Sequence, residues 1–519
     1  MFKHRHILLC FIMVILLLSG ISSVHAEDKS TSSGSVINPA TSTDLDRLDE
    51  HKNLPAYLDT GLVINEKMKS LAAGIPVIPY DPDKLIKAIR KADYLPDCFE
   101  PSVENTISAV SSPMPIYIFF DNSEDAGLMY IYTESNQIIA DSSLTNTLCF
   151  FQSLSDISGL ADWDTSNVTE LAAAFSGTLS LTDISPLSKW NTGNVKSFYA
   201  TFFQSGIIDA SPLANWDTSS VTTMMYMFGK DSALKTVDVS NWNTGSVTSM
   251  NSMFSVGDSH MGNGQLAEIR GLGNLDVSSV TDMTCMFYGA GNMTHYDIAG
   301  WDVSSVESFN HMFCDNFKLE SLDLSAWDVS NVKTMYDMFD DNYALTTIGD
   351  VSHWNTSSLI DAGGWMNFAR SFVGENGILD LSGWNTKNLM SVGEMFRSVK
   401  CETIDLSGWT FDSITNNSWP DAGKGIYYES GNRSGFKGFA GMFLNASKLN
   451  TVRVSASGFI SYKNAVLYGA ATTDMWKGVP EGFFTVPYIP QYIQKVFYRS
   501  LFIVQSSLTL VLDSLMNLL

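Results

Sequence analysis

The sequence predicts an α/β repeat fold: a stack of about ten coils, each one short strand and one short helix, behind an amino-terminal α+β cap. Self-similarity at a fixed period is the first observation behind this. Trp163, Trp190, Trp216, Trp242, Trp301, Trp327, Trp354, Trp384 and Trp409 recur at a spacing of mostly 26 or 27 residues, with Leu275 in the slot between Trp242 and Trp301. Asp or Asn follows one place later, Val or Leu five places later, and Phe twelve places later, as in Asp328, Val332 and Phe339. The second observation is a change of period inside each coil. Leu322-Asp323-Leu324 alternates, which reads as a short strand, as do Val237-Asp238-Val239 and Ile404-Asp405-Leu406. Val332, Met335, Met338 and Phe339 then fall on one face of a short helix. One strand and one helix cannot enclose a core alone, whereas stacked coils can.

Each element follows from these columns. Trp216, Val221, Met224 and Phe228, like Trp327, Val332, Met335 and Phe339, are the expected structural core of their coils. The Met column is adaptable core filler. Asp328 or Ser330 stands where it can accept the first free N–H groups of the expected helix. Outside the array, Asp83 to Ala92 reads as a helix, and Met114 to Phe120 with Gly127 to Thr133 as paired strands across a polar turn. The expected organisation is a signal peptide over 1–26, a polar linker over 27–54, a cap domain over 55–150, the repeat array over 151–455, and a carboxyl-terminal cap with an apolar tail over 456–519.

The signal reading rests on Lys3 and Arg5, the apolar stretch Ile7 to Leu18, and the small residues Val24 and Ala26 around His25. It implies a secreted or cell-surface protein. The stretch Ser500 to Leu519 is long enough to span a bilayer, but Gln505, Asp513 and several Ser make a cap helix the better reading, so no clear transmembrane anchor is expected. Net charge is −24, from 31 Lys+Arg against 55 Asp+Glu. That excess argues against nucleic acid, which needs clustered bases. Cys98 and Cys149 could pair or remain two buried thiols; the sparse cysteines form no disulfide framework.

The residues of the repeat resemble a known family. Trp216-Asp-Thr-Ser-Ser-Val-Thr-Thr-Met-Met-Tyr-Met-Phe228 is similar to the pattern of BspA-like leucine-rich-repeat bacterial surface proteins. The resemblance covers about 150–455 and implies a leucine-rich-repeat-like, right-handed solenoid of about ten 26-residue strand–helix coils. It also implies adhesion: a binding module for a protein or glycan on host matrix or neighbouring cells. A structural spacer or decoy coat without dedicated ligand is the alternative, and a hydrolase with its site in a loop insertion a more distant one. The Leu-Pro-x-Thr-Gly sorting signal of surface proteins is not in the sequence.

Chemical motifs are few. The sequence holds no HExxH, G-x-S-x-G, GxxxxGK[ST] or GxGxxG pattern, so no enzyme is expected. The Asp/Asn column invites a calcium ladder, but turns and caps explain it without a metal. A cap contributes about 0.5–2 kcal/mol, and two charges about 4.8 Å apart in water repel by only about 0.9 kcal/mol. Neither metal nor cofactor is expected. Extra residues fall near His260 to Gln265, near Gly363 to Phe368, and from Asp412 to Gly435. The last insertion carries Trp419, Tyr427, Tyr428 and Arg433, residue types that supply interface hot spots, and these are the expected ligand-binding residues.

Overall fold

The computed structural model describes residues 52–257, 264–414, 438–467, 475 and 477. The expected signal peptide, most of the linker and the apolar tail lie outside these residues.

The amino-terminal region supplies β1 (Ala56–Tyr57), α1 (Gly61–Ala73), β2 (Ala88–Lys91), β3 (Tyr117–Asp121), β4 (Leu128–Tyr132) and β5 (Ile138–Ile139). β3 and β4 pair antiparallel, Tyr117 opposite Tyr132 and Asp121 opposite Leu128, which is the hairpin the sequence indicates. The expected helix over Asp83–Ala92 is corrected: its second half is strand β2, parallel to β4. Gly127 O takes the N–H groups of Lys87 and Ala88, and Asp156 O takes that of Ile89, so tertiary pairing overrides helix propensity. Helix α1 buries Ile64 and Met68 one turn apart and stops at Gly74, left-handed at φ 67°. The polar side of the same helix is also buried, at Asn65 and Lys69, which hid its amphipathic pattern. Cys98 and Cys149 are unpaired thiols, one exposed and one buried.

β5 lies between β1 and β6 (Trp163–Asp164), all parallel, so the cap leads into the first coils without a break. From there the chain is a repeat fold in which each coil lies parallel to the next. Single parallel bridges join Ser143, Glu170, Ser197, Thr223, Ser249, Asp282, Ser308, Thr334, Asp361 and Ser391 in succession. On a second side the strand segments pair: β7 (Thr236–Asp238) with β8 (Glu268–Arg270), and β10 (Thr403–Leu406) with β9 (Ile378–Asp380) on one edge and β11 (Thr451–Val454) on the other. Helix α2 (Ala456–Leu467) follows β11. The ladder then continues to Met475 and Lys477, whose carbonyls accept the N–H groups of Phe443 and Asn445 at 3.0 and 2.7 Å.

The helix expected in every coil is corrected. The N–H groups of Met335, Asp337, Phe339 and Asp341 donate to Asp361, Gly363, Trp365 and Asn367 of the next coil, while those of Met338 and Asp340 close tight turns onto Met335 and Asp337. Alternate amides therefore bind the neighbour, which an α-helix would forbid by bonding each amide to its own chain. Two left-handed residues per coil produce this path, Asp337 at φ 50° and Asp341 at φ 57°; Ala173, Ala200, Tyr226, Ser252, Cys285 and His311 repeat the first slot. A left-handed residue that is not Gly costs about 1–2 kcal/mol. Four inter-coil hydrogen bonds at about 1 kcal/mol each offset the pair, and the burial of Met335, Met338 and Phe339 tips the balance.

The columns pack as ladders. Trp216 Nε1 donates to Leu187 O of the coil before at 3.0 Å, and Trp327 Nε1 to Ile298 O at 3.1 Å. Trp190, Trp242, Trp301, Trp354, Trp384 and Trp409 do the same. Trp thus fills the core and satisfies a buried carbonyl in one side chain. Phe228 stacks between Phe202 and Phe254, with ring centroids at 5.7 and 5.9 Å, and Phe339 stacks on Phe313 at 5.5 Å. Trp216, Val221, Met224, Phe228, Trp327, Val332, Met335 and Phe339 are all buried in one core that runs the length of the stack.

Candidate functional site

The strand side of the stack places an acidic residue at the solvent face of most coils. Asp238, Asp297, Asp323, Asp350 and Asp380 are exposed or half-buried, while Val237, Ile298, Leu324 and Leu379 beside them are buried. This is the strand alternation at work: one residue enters the core and the next faces out. Each of these aspartates except Asp297 also accepts the N–H of the residue two places on, as Asp238 does from Ser240, Asp323 from Ser325, Asp350 from Ser352 and Asp380 from Ser382, at 2.9–3.1 Å. The same turn chemistry explains the Asp/Asn column after the Trp anchor, where Asp217 accepts from Ser219 and Asp328 from Ser330. Those turns replace the helix caps the sequence suggests.

Across three of these coils the face opens into a groove of about 590 Å³. His295 and Asp297 line it from one coil, Ser321, Asp323 and Ser325 from the second, Thr347, Gly349 and Asp350 from the third, and Glu375 closes the far side. Leu322 and Ile298 form part of its floor. Tyr296 is buried below, its hydroxyl bonded to Asn316 Oδ1. Gly349 has φ 80°, and a Cβ there would meet Asp323 Oδ1 at 2.7 Å. The lack of a side chain at that rung lets the Asp323 carboxylate lie across it.

Glu375 reaches the groove because the chain is longer after Phe368. The extra residues expected at Gly363–Phe368 are corrected to this place. Gly363, Trp365 and Asn367 accept the ladder bonds of the coil before, and Trp365 and Met366 are fully buried, so no loop projects there. The added length forms a turn with left-handed Gly374, Asn376 and Gly377 just before β9. Thr347 Oγ1 donates to Glu375 Oε1 and holds it against the third coil.

The groove is electrostatically negative. The Ser325 hydroxyl and then its N–H hold Asp323 below the usual carboxylate range, and Ser352 does the same for Asp350, so both remain ionised. His353 lies beside Asp350, its Nε2 2.7 Å from Ser325 O. Among the described residues no group of three or more His, Cys, Asp or Glu is arranged to hold a metal ion. What the groove offers is hydrogen-bond acceptors, hydroxyls and fixed negative charge, which suit ammonium and guanidinium groups.

Of the residues expected to bind ligand, Trp419, Tyr427, Tyr428 and Arg433 lie outside the described residues. The start of their insertion is seen: Ser413 Oγ donates to Lys387 O and Ile414 is buried. The groove residues were missed by the reading of the sequence, although the Leu-Asp-Leu alternation already marks the aspartate as the outward member.

The family model described as "Mycoplasma protein of unknown function, DUF285" matches residues 145–265, 260–378 and 348–419. Together these matches cover more than half of the 519-residue chain. The chain belongs to this family. The family matches span the coils that build the acidic groove. No curated protein matches the sequence. A solved structure titled "Crystal structure of TLR13-ssRNA13 complex" is similar at 14% identity and a TM-score of 0.19, covering 68% of this chain and 49% of that one. This chain therefore spans about half the length of that structure's chain. Among the described residues no helix is long and apolar enough to cross a membrane.

Proposed function

We propose that this DUF285 protein is an exported, BspA-like surface or secreted binding module, an adhesin without catalytic activity. In this reading the coils form a leucine-rich-repeat-like, right-handed solenoid of about ten repeats. The partner is a macromolecule of host matrix or neighbouring cells, and a protein ligand presenting Lys or Arg fits better than a neutral glycan. One observation carries the reading: the open groove of about 590 Å³ across three coils, lined by Asp297, Asp323, Asp350 and Glu375. A rigid ladder below and acceptors held in place by Ser325, Ser352 and Thr347 match what a binding surface needs, since preorganised groups lose little entropy on docking.

The test is capture from solubilised matrix and serum by the immobilised full-length protein, compared with the D323N/D350N/E375Q variant. Captured protein that is lost in the variant, and weakened when salt shortens the screening length from about 10 to 3 Å, supports the reading. Capture unchanged in the variant moves the site to the 412–435 insertion. Absence of capture favours a spacer.

A further inference from the structure

The fifteenth position after the Trp anchor carries a clamp between neighbouring coils. Asn316, in the coil of Trp301, donates its Nδ2 hydrogens to Phe287 O of the coil before and to Phe313 O of its own, at 2.8 and 2.9 Å. Asn342, in the next coil, donates to Phe313 O at 2.8 Å. Both residues are fully buried. The clamp needs a donor, because every acceptor it meets is a carbonyl.

Asp231 occupies the same position after Trp216 and is also fully buried. Its Oδ1 accepts the N–H of Ser205, and its Oδ2 has no hydrogen-bond partner. By repeat register, Phe202 O of the coil before corresponds to the Phe287 O that Asn316 binds. An ionised carboxylate there leaves Oδ2 desolvated with no hydrogen-bond donor. An isolated buried carboxylate of this kind takes up a proton instead.

Among the described residues no charged group acts on the Asp231 carboxyl. From the coil before come Ser205 and Phe202, and from its own coil Phe228 and Lys230. The coil after contributes Ser255, whose carbonyl accepts the Lys230 N–H. The Lys230 ammonium lies 5.9 Å from the centre of the Phe203 ring.

We propose that Asp231 is held in the folded array as the neutral acid, its O–H donating where Asn316 and Asn342 donate N–H, so that this joint between coils is a proton-sensitive latch. Burial raises the affinity of the carboxyl for its proton well above the ordinary value, and Ser205 opposes this only in part. The sign follows from linkage. The folded state holds a proton that the unfolded chain releases near pH 4, so the stabilisation is complete below that pH and is lost as pH rises towards the folded value. Over that window the folding equilibrium constant falls by up to tenfold per pH unit.

The experiment compares thermal and urea unfolding of the wild-type protein and D231N from pH 4 to 8. Asn supplies the donor without a proton to lose. The two proteins are expected to coincide near pH 4, with D231N gaining over wild type by up to tenfold in folding constant per pH unit above it. Other buried carboxyls, Asp361 included, are common to both proteins and cancel in the difference. A difference that does not change with pH, or a D231N protein that is less stable than wild type at pH 7 or fails to fold, overturns the proposal. Infrared difference spectra at neutral pH give an independent readout: a protonated carboxyl band present in wild type and absent from D231N supports it. Its absence from wild type overturns it.

Discussion

At the scale of single residues, the columns of the repeat are buried positions with separate tasks. Phe339 stacks on Phe313 and is fully buried. Phe339→Ala is expected to destabilise by about 3–5 kcal/mol in urea melts, because the cavity cannot close against a ladder fixed on both sides. Loss below about 1 kcal/mol would contradict its burial. Asp361 makes a second residue-scale case. It is 1% exposed and accepts the Gly363 N–H at 2.8 Å, and burial pushes its carboxyl up to about 6. Its folded affinity for the proton exceeds the unfolded one, so its contribution is present below about pH 4 and lost as pH rises to about 6. D361N should therefore flatten part of the decline in melting temperature between pH 4 and 6. An unchanged decline would show that the carboxyl is not protonated in the fold.

At the scale of elements, the sequence showed which residues face the core but not the path of the backbone between them. Val332, Met335, Met338 and Phe339 are all buried, as a helix would bury them, yet their segment is a chain of turns with amides bonded outward to the next coil. Side-chain spacing alone does not separate the two, because both paths turn the same residues inward. The signal lay instead in the residues at the left-handed slots, among them Ser252, His311, Asp315, Asp337 and Asp341, several of which tolerate that conformation better than most. A substitution discriminates directly. In a helix interior Ala→Gly costs about 1 kcal/mol, whereas at Ala200, with φ 52°, Gly relieves a left-handed strain of similar size. A200G is expected to keep or raise the melting temperature; a clear drop would return the helix. Strands were legible where they alternate, as in β7 and β10, and the hairpin of β3 and β4 was legible for the same reason. Helix α1 was not, because Asn65 and Lys69 are buried beside its apolar residues. Lys69 Nζ donates to the carbonyls of Pro79, Asp81 and Cys149 at 2.5, 2.8 and 2.7 Å, a solution that sequence pattern does not announce. Burial lowers this ammonium to about 8. K69M keeps the packing but leaves the buried Pro79 carbonyl without its Lys69 donor, while Cys149 O keeps Asn65 Nδ2 and Asp81 is exposed, so it should destabilise by about 1–3 kcal/mol in urea melts.

At the scale of the whole molecule, the array divides its work between two sides. One side joins coils through turn ladders and buries the Trp and Phe columns. The other exposes the aspartates of the strand rungs, and three of those coils with the turn at Glu375 open the groove. The negative charge of the chain was legible from composition, and the outward aspartates from the alternation. The groove was not, because it depends on Gly349 lacking a side chain and on extra residues after Phe368 carrying Glu375 back over the third coil. Both are matters of how three coils meet, which no single coil reveals.

The claim that this face binds the partner is tested most directly by amide hydrogen exchange on the protein with and without a captured ligand. The account predicts added protection at residues 295–299, 321–325, 347–350 and around Glu375, with the turn ladder opposite unchanged. Protection confined to the 412–435 insertion, or spread evenly over the coils, would contradict it.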